Sequence, residues 1–275
     1  IRDRCRAVPA GRALLMAPSF QEYENALEAA GHPCEFLYLK EENNFVLSLQ
    51  ELLLRITEET SLVFLCNPGN PTGTVTGKAE LVRLAERCEE TKTFLCVDEC
   101  FLPFLPGEPV LSMKGETVRF PHLAVLRAFT KVYGMPGLRL GYLMTGNREL
   151  AGRLKEKLPP WNVSLPAQLA GAAALKAEGY LEKTRELIRG EKEKLVPVLL
   201  ETVADRVYPG SANFLLFHGR EGLKEALLDR KILIRDCSNF KGLSRGYYRI
   251  CIRTQEENER LKEILYSLAG KEAGK

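Results

Sequence analysis

Three polar residues stand just past three apolar runs, and their side chains are of the types that handle a small anionic ligand. Lys131 follows the run 123–126, where β-branched Val125 marks a buried strand, and Arg139 comes eight residues later, after Gly134, Pro136 and Gly137. An amine and a guanidinium so placed can meet one small anion, although a lysine in a loop is also the ordinary surface case. Asp98 closes the run 93–97. A carboxylate there needs a cation or hydrogen-bond donors, and a structural ion pair satisfies it as well as a ligand does. Asn70 lies in Asn67-Pro68-Gly69-Asn70-Pro71-Thr72-Gly73, after the continuous apolar run 62–66. Turn chemistry accounts for the prolines and glycines of that loop but does not call for an asparagine at position 70.

Such residues need a scaffold that delivers strand ends to one place. Strand-like runs at 13–17, 35–39, 62–66, 93–97, 123–126 and 138–144 alternate with helical patterns, which indicates a parallel, doubly wound α/β sheet. Ligands bind such sheets at the carboxyl ends of strands, where Asn70, Asp98 and Lys131 all fall. A capping box, Ser48 to Glu51, opens a helix carrying Leu52, Leu53 and Ile56. Leu81, Leu84, Ala85 and Cys88 share one face of the next. A helix at 150–158 stops at Pro159-Pro160, and a long helical region follows, with interruptions expected near Gly179 and Gly190. Strands are expected at 213–217, 232–235 and 247–252. Thr254 to Glu257 caps a last helix with Leu261, Ile264 and Leu265 inward, before a frayed tail at 271–275.

The 275 residues suffice for one large or two modest domains, and 45% hydrophobic with 27% charged residues is an ordinary soluble composition. A net charge of +3 with both signs mixed argues against a nucleic-acid binder. No run approaches the length of a membrane span, and no signal peptide is visible. Eight scattered cysteines without a CxxC pair point to a reduced, cytoplasmic protein. His32, His122 and His218 are far apart, so no metal site is expected.

Lys-x-Tyr-Gly-x-x-Gly-Leu-Arg-Leu-Gly-Tyr (131–142), Cys-Asn-Pro-Gly-Asn-Pro-Thr-Gly (66–73) and Val-Asp-Glu-Cys-Phe (97–101) resemble, in order and spacing, the signature segments of the fold-type-I, pyridoxal-phosphate-dependent aminotransferase family. The resemblance implies a mostly parallel doubly wound sheet with a smaller α+β C-terminal domain. It places a cofactor-binding large domain and its connecting helix at 1–180, and the small domain at 181–275. It also implies that the chain starts inside a helix, without the glycine-rich turn that holds the cofactor phosphate. Its cofactor is pyridoxal 5′-phosphate. Lys131 would form the Schiff base and then act as base or acid at the substrate α-carbon. Asp98 would pair with the pyridine nitrogen, Asn70 with the phenolic oxygen, Phe20 would stack on the ring, and Arg139 with Thr130 would hold the phosphate. Arg249 would bind the substrate carboxylate, and Glu99 is structural.

Ala128 departs from the family's serine or threonine, and Phe101 from its tyrosine. Phe101, Pro160-Trp161-Asn162-Val163, the segment 234–240 and the segment 249–254 resemble the threonine-phosphate decarboxylase branch, whose product serves the cobalamin side chain. That adds Asn162, Arg235 and Arg253 as substrate-binding residues, the two arginines for a substrate phosphate. The implied reaction is decarboxylation of L-threonine O-3-phosphate by a homodimer. Transamination, as in histidinol-phosphate aminotransferases, is the alternative. A pyridoxal-phosphate-binding regulatory domain and a structural pseudo-enzyme are further ones.

Overall fold

The computed structural model describes residues 5–271. Residues 1–4 and 272–275, which include the expected helical start and most of the expected frayed tail, lie outside the described residues. Six strands form one sheet: β1 (Arg12–Ala17), β2 (Cys34–Tyr38), β3 (Thr60–Cys66), β4 (Phe94–Asp98), β5 (Leu123–Ala128) and β6 (Gly141–Thr145), in the order β2-β1-β3-β4-β5-β6. Every neighbouring pair is parallel except β5 with β6, which is an antiparallel edge. The mostly parallel α/β sheet read from the apolar runs is the one observed.

Alternation along the central strands builds two cores. Leu14, Met16, Val63, Leu65, Leu95, Val97, Leu123 and Val125 face one side, where Leu52 of helix Leu49–Arg55, Ile56 just past its end, and Leu81, Leu84 and Cys88 of helix Lys78–Glu90 cover them. Leu15, Leu62, Phe64, Cys96 and Leu126 face the other, against Tyr23, Ala26 and Leu27 of helix Gln21–Glu28. Strands covered on both faces read as unbroken apolar runs, which is why 62–66 and 123–126 were so plain in sequence.

A second, antiparallel sheet contains β7 (Ala204–Val207), β8 (Phe214–Gly219), β9 (Arg235–Asp236) and β10 (Tyr247–Cys251) in the order β7-β8-β10-β9. Leu215, Phe217, Tyr248 and Ile250 pack on Leu195, Val198, Leu199, Leu261 and Leu265 of helices Tyr180–Thr202 and Gln255–Leu268. The Thr254 cap is a full box, with the hydroxyl accepting from the Glu257 amide at 3.4 Å and Glu257 reaching back to the Thr254 amide at 3.3 Å. At Ser48 only half the box forms, because the Glu51 carboxylate turns to Lys40, 3.6 Å away.

Three expectations need correction. No interruption occurs at Gly190: helix Tyr180–Thr202 continues through it and through Pro197. Burial of Ile188, Leu195, Val198 and Leu199 outweighs the roughly 1 kcal/mol that glycine costs and the ~3 kcal/mol that proline costs inside a helix. The break at Gly179 does occur, at φ +67°. The strand expected at 138–144 starts only at Gly141, since Pro136–Leu138 make a 3₁₀ turn and Arg139 adopts φ +57°. The strand at 232–235 shrinks to Arg235–Asp236, after Lys231 at φ +64°.

Candidate active site

Register brings the three loops together. Cys66 pairs with Asp98 and Asp98 with Leu126, so the chain leaves β3, β4 and β5 at one edge of the sheet. Asp98 is buried, and among the described residues no cation pairs with it. Its Oδ1 accepts the Cys100 amide N–H at 2.9 Å and its Oδ2 accepts the Tyr23 hydroxyl at 2.8 Å. Burial, then the charge of Asp98, raises the Tyr23 pKa well above its usual value, so the phenol stays a donor. The adjacent carboxylate has a different task. Glu99 is fully buried and takes Arg127 at 2.6 Å, the Ser112 hydroxyl and the Met113 amide, both at 2.7 Å. Glu99 is structural, as expected, and holds the ion pair that Asp98 lacks among the described residues.

Asn70 is buried, and its Oδ1 accepts from the Arg249 guanidinium on β10 of the second sheet. Arginine has no acceptor, so this contact fixes the amide orientation and leaves the Asn70 NH₂ to donate elsewhere. Arg249 also lies over the Phe214 ring, 4.9 Å from its centre, and burial lowers its pKa from the usual value. Phe101 packs edge-on against the same ring at 5.1 Å. The loops are held by close approach as well: Gly73, at φ +72°, has no room for a side chain, since a Cβ would stand 2.9 Å from the Gly210 Cα.

Lys131 occupies the short helix Phe129–Val132, exposed, and its amine makes no hydrogen bond or ion pair among the described residues. It lies near enough to Cys251 to pull that thiol's pKa down against the larger upward effect of burial. Arg139 is exposed, and among the described residues its side chain bonds only to the Pro136 carbonyl, at 2.9 Å. Thr130 sits beside Lys131, half-buried. Phe20 precedes helix Gln21–Glu28, 40% exposed and edge-on to Tyr23 at 5.6 Å.

Next to Arg249 a cleft of about 620 Å³ opens between β9, β10 and the last helix. Arg235 and Arg249 are direct cross-strand partners and both line it, as does Arg253. Arg235 is held by Asn239 at 2.8 Å, and Arg253 by Glu257 at 2.6 Å. That pairing brings the Glu257 pKa down to about 2. Asn162 is exposed and is not among the residues lining the cleft, so the structure does not bring it to the three arginines. Tyr23, Cys100 and Phe214 were missed in sequence. Tyr23 carried the only readable signal, one helical turn after Phe20.

Residues 3–265 match the family model described as aminotransferase class I and II. The chain belongs to that family. Among curated relatives of this aminotransferase-family chain, it is 37% identical over 259 residues to the threonine-phosphate decarboxylase of Salmonella typhimurium, covering 92% of this chain and 70% of that one. The structure of the histidinol-phosphate aminotransferase from Clostridium acetobutylicum superposes with a TM-score of 0.90 at 30% identity, over 98% of this chain and 80% of that one. The L-threonine-O-3-phosphate decarboxylase from Porphyromonas gingivalis gives 0.82 at 25% identity, over 98% and 80%.

The family's cofactor is pyridoxal 5′-phosphate, and the residues present fit it. A buried carboxylate without a cation is suited to a protonated ring nitrogen. An oriented amide donor at Asn70 suits a ring oxygen, and the unpaired Lys131 amine suits an aldehyde. Arg139, free of carboxylate partners among the described residues, suits the phosphate.

Proposed function

We propose that the chain decarboxylates a phosphorylated amino acid, L-threonine O-3-phosphate, with pyridoxal 5′-phosphate as cofactor. The observation that carries this reading is the pair Arg249 and Arg235, opposite each other on antiparallel strands and open to one cleft. Directly paired side chains stand about 5 Å apart at Cβ on one face of a sheet. Two cations at that spacing suit a small substrate with both a carboxylate and a phosphate. Histidinol phosphate has no carboxylate, so it leaves one of them without an anion. The curated decarboxylase at 37% identity supports the same choice.

In this reading Lys131 binds the cofactor aldehyde, Asp98 the ring nitrogen, Asn70 the phenolic oxygen, and Arg139 with Thr130 the phosphate. Phe20 supplies the ring stack. Arg249 takes the substrate carboxylate; pinned by Asn70 and Phe214, it sets the direction of the Cα–carboxylate bond. Arg235 and Arg253 take the substrate phosphate; the family resemblance adds Asn162 as a substrate contact, although it does not line the arginine cleft. The bound cofactor supplies an electron sink for the pair released when that bond breaks and carbon dioxide leaves. The Lys131 amine would donate the proton that takes the place of the carboxylate at Cα. Phe101 offers no hydroxyl for the phenolic oxygen, so Asn70 is its principal donor. Asp98, held between the Tyr23 hydroxyl and the Cys100 amide, would present its remaining lone pairs to the ring nitrogen.

The division into a cofactor domain at 1–180 and a small domain at 181–275 belongs to the same reading, supported by the two sheets and by the helix starting at Tyr180. So does a homodimer: Trp161, Leu165, Leu169 and Leu175, on and beside helix Leu165–Ala174, expose 64–96% of their surface, an apolar face that a second copy would cover. No helix among the described residues is long and apolar enough to cross a membrane. A cytoplasmic setting fits cysteines that form no disulfide among the described residues. The test is a comparison of kcat/KM for L-threonine O-3-phosphate and for histidinol phosphate with a keto-acid acceptor. Preference for the first supports the decarboxylase, and preference for the second makes the chain an aminotransferase.

A further inference from the structure

Among the described residues, Tyr23 is the one side chain that hydrogen-bonds Asp98 from outside its own strand and loop, and it does so from helix Gln21–Glu28, 75 residues earlier in sequence. Its ring is clamped on two sides, 4.4 Å from the Phe64 ring and 5.6 Å from Phe20. The Cys66 thiol lies beside the same hydroxyl. Clamped so, the phenol has little freedom except rotation of its O–H, and an ionised carboxylate accepts only.

We propose that Tyr23 is a positioning residue that acts through Asp98, fixing its carboxylate and weakening its hold on a proton so that the proton rests on the ligand's ring nitrogen. This rests on the pyridoxal-phosphate reading of the site. The chemistry is that of a carboxylate between two donors. Cys100 N–H occupies one lone pair of Oδ1 and Tyr23 O–H one of Oδ2, and lone pairs remain for a third donor in the space between. Each donor stabilises the charged carboxylate and lowers its basicity. With Tyr23 in place, the shared proton lies toward nitrogen and the ring remains positively charged. Without the hydroxyl, a buried oxygen loses a partner, the carboxylate becomes more basic, and the proton moves toward oxygen.

Tyr23→Phe removes only the hydroxyl and keeps the ring packing. The test loads wild type and variant with pyridoxal phosphate carrying ¹⁵N in the ring and records the nitrogen resonance. The expected result is a displacement toward the neutral-pyridine position in Y23F, with kcat lower by about tenfold and KM little changed. Phe64→Leu, which loosens the packing but keeps the hydroxyl, leaves the resonance in place. An unmoved resonance in Y23F, or an equal displacement in F64L, overturns the proposal. If Y23F does not fold, 3-fluorotyrosine at position 23 serves instead: its stronger donation moves the resonance toward the protonated position, and no movement overturns the proposal. Failure of wild type to take up the labelled cofactor refutes the pyridoxal reading itself, a distinct result.

Discussion

The contact between Asn70 and Arg249 joins the two sheets across 179 residues of sequence, and its removal has a calculable consequence. Asn70→Ala deletes the one hydrogen-bond acceptor that Arg249 has among the described side chains, leaving a half-buried cation over the Phe214 ring. A hydrogen bond to a charged group contributes about 1.5–3 kcal/mol. If Arg249 orients the substrate carboxylate, that loss lowers kcat/KM by about 10- to 150-fold. Asn70→Ala also removes a donor to the cofactor, so Asn70→Asp separates the effects. Aspartate keeps an acceptor for Arg249 but loses the NH₂, and it should weaken cofactor binding while sparing the substrate KM. The assay is steady-state kinetics on wild type, N70A, N70D, R249K and the N70A/R249K double variant, at saturating cofactor. A coupling of at least about 1.5 kcal/mol is expected. Additivity within about 0.5 kcal/mol, or N70A and N70D with equal substrate KM, would refute the reasoning.

Two further predictions concern stability. Glu99→Gln removes one of the two carboxylates on buried Arg127, which keeps Glu108 at 2.6 Å, and should cost about 1.5–3 kcal/mol, seen as a fall of roughly five degrees in Tm by calorimetry. A variant within a degree of wild type would mean that the pair is not buried as described. Lys192 donates to the Gly210 carbonyl at 2.6 Å, and burial lowers its pKa from 10.5 to about 8. Between those values the unfolded chain binds the proton and the folded one does not. Wild type should therefore gain stability relative to K192M as pH rises from about 8 to 10.5, with no change in the difference below pH 8. Urea midpoints at pH 7.5 and pH 10 measure this, and equal differences at the two values would contradict it.

Asn70, Asp98 and Lys131 were legible because each follows a strand covered on both faces, whose apolar run ends abruptly at the sheet edge. The cap of the last helix was legible because its capping box lies within four consecutive residues, Thr254 to Glu257. What sequence did not show was who meets whom. Tyr23 with Asp98, Asn70 with Arg249 and Phe101 with Phe214 join residues 75, 179 and 113 apart, and no local pattern encodes such pairs. Helix Tyr180–Thr202 failed the reading in the opposite way, because Gly190 looked like a stop that tertiary burial overrides. Asn162 is exposed and does not line the arginine cleft, and no local pattern in sequence tells which cleft a loop residue reaches.

The most direct test of the proposed reaction uses L-threonine O-3-phosphate labelled with ¹³C in the carboxylate, mixed with the protein and pyridoxal 5′-phosphate. Labelled carbon dioxide released in step with aminopropanol phosphate, and abolished in Lys131→Ala, is the predicted result. Label retained in a keto acid, with the amino group passed to an acceptor, would contradict decarboxylation and assign the chain to transamination.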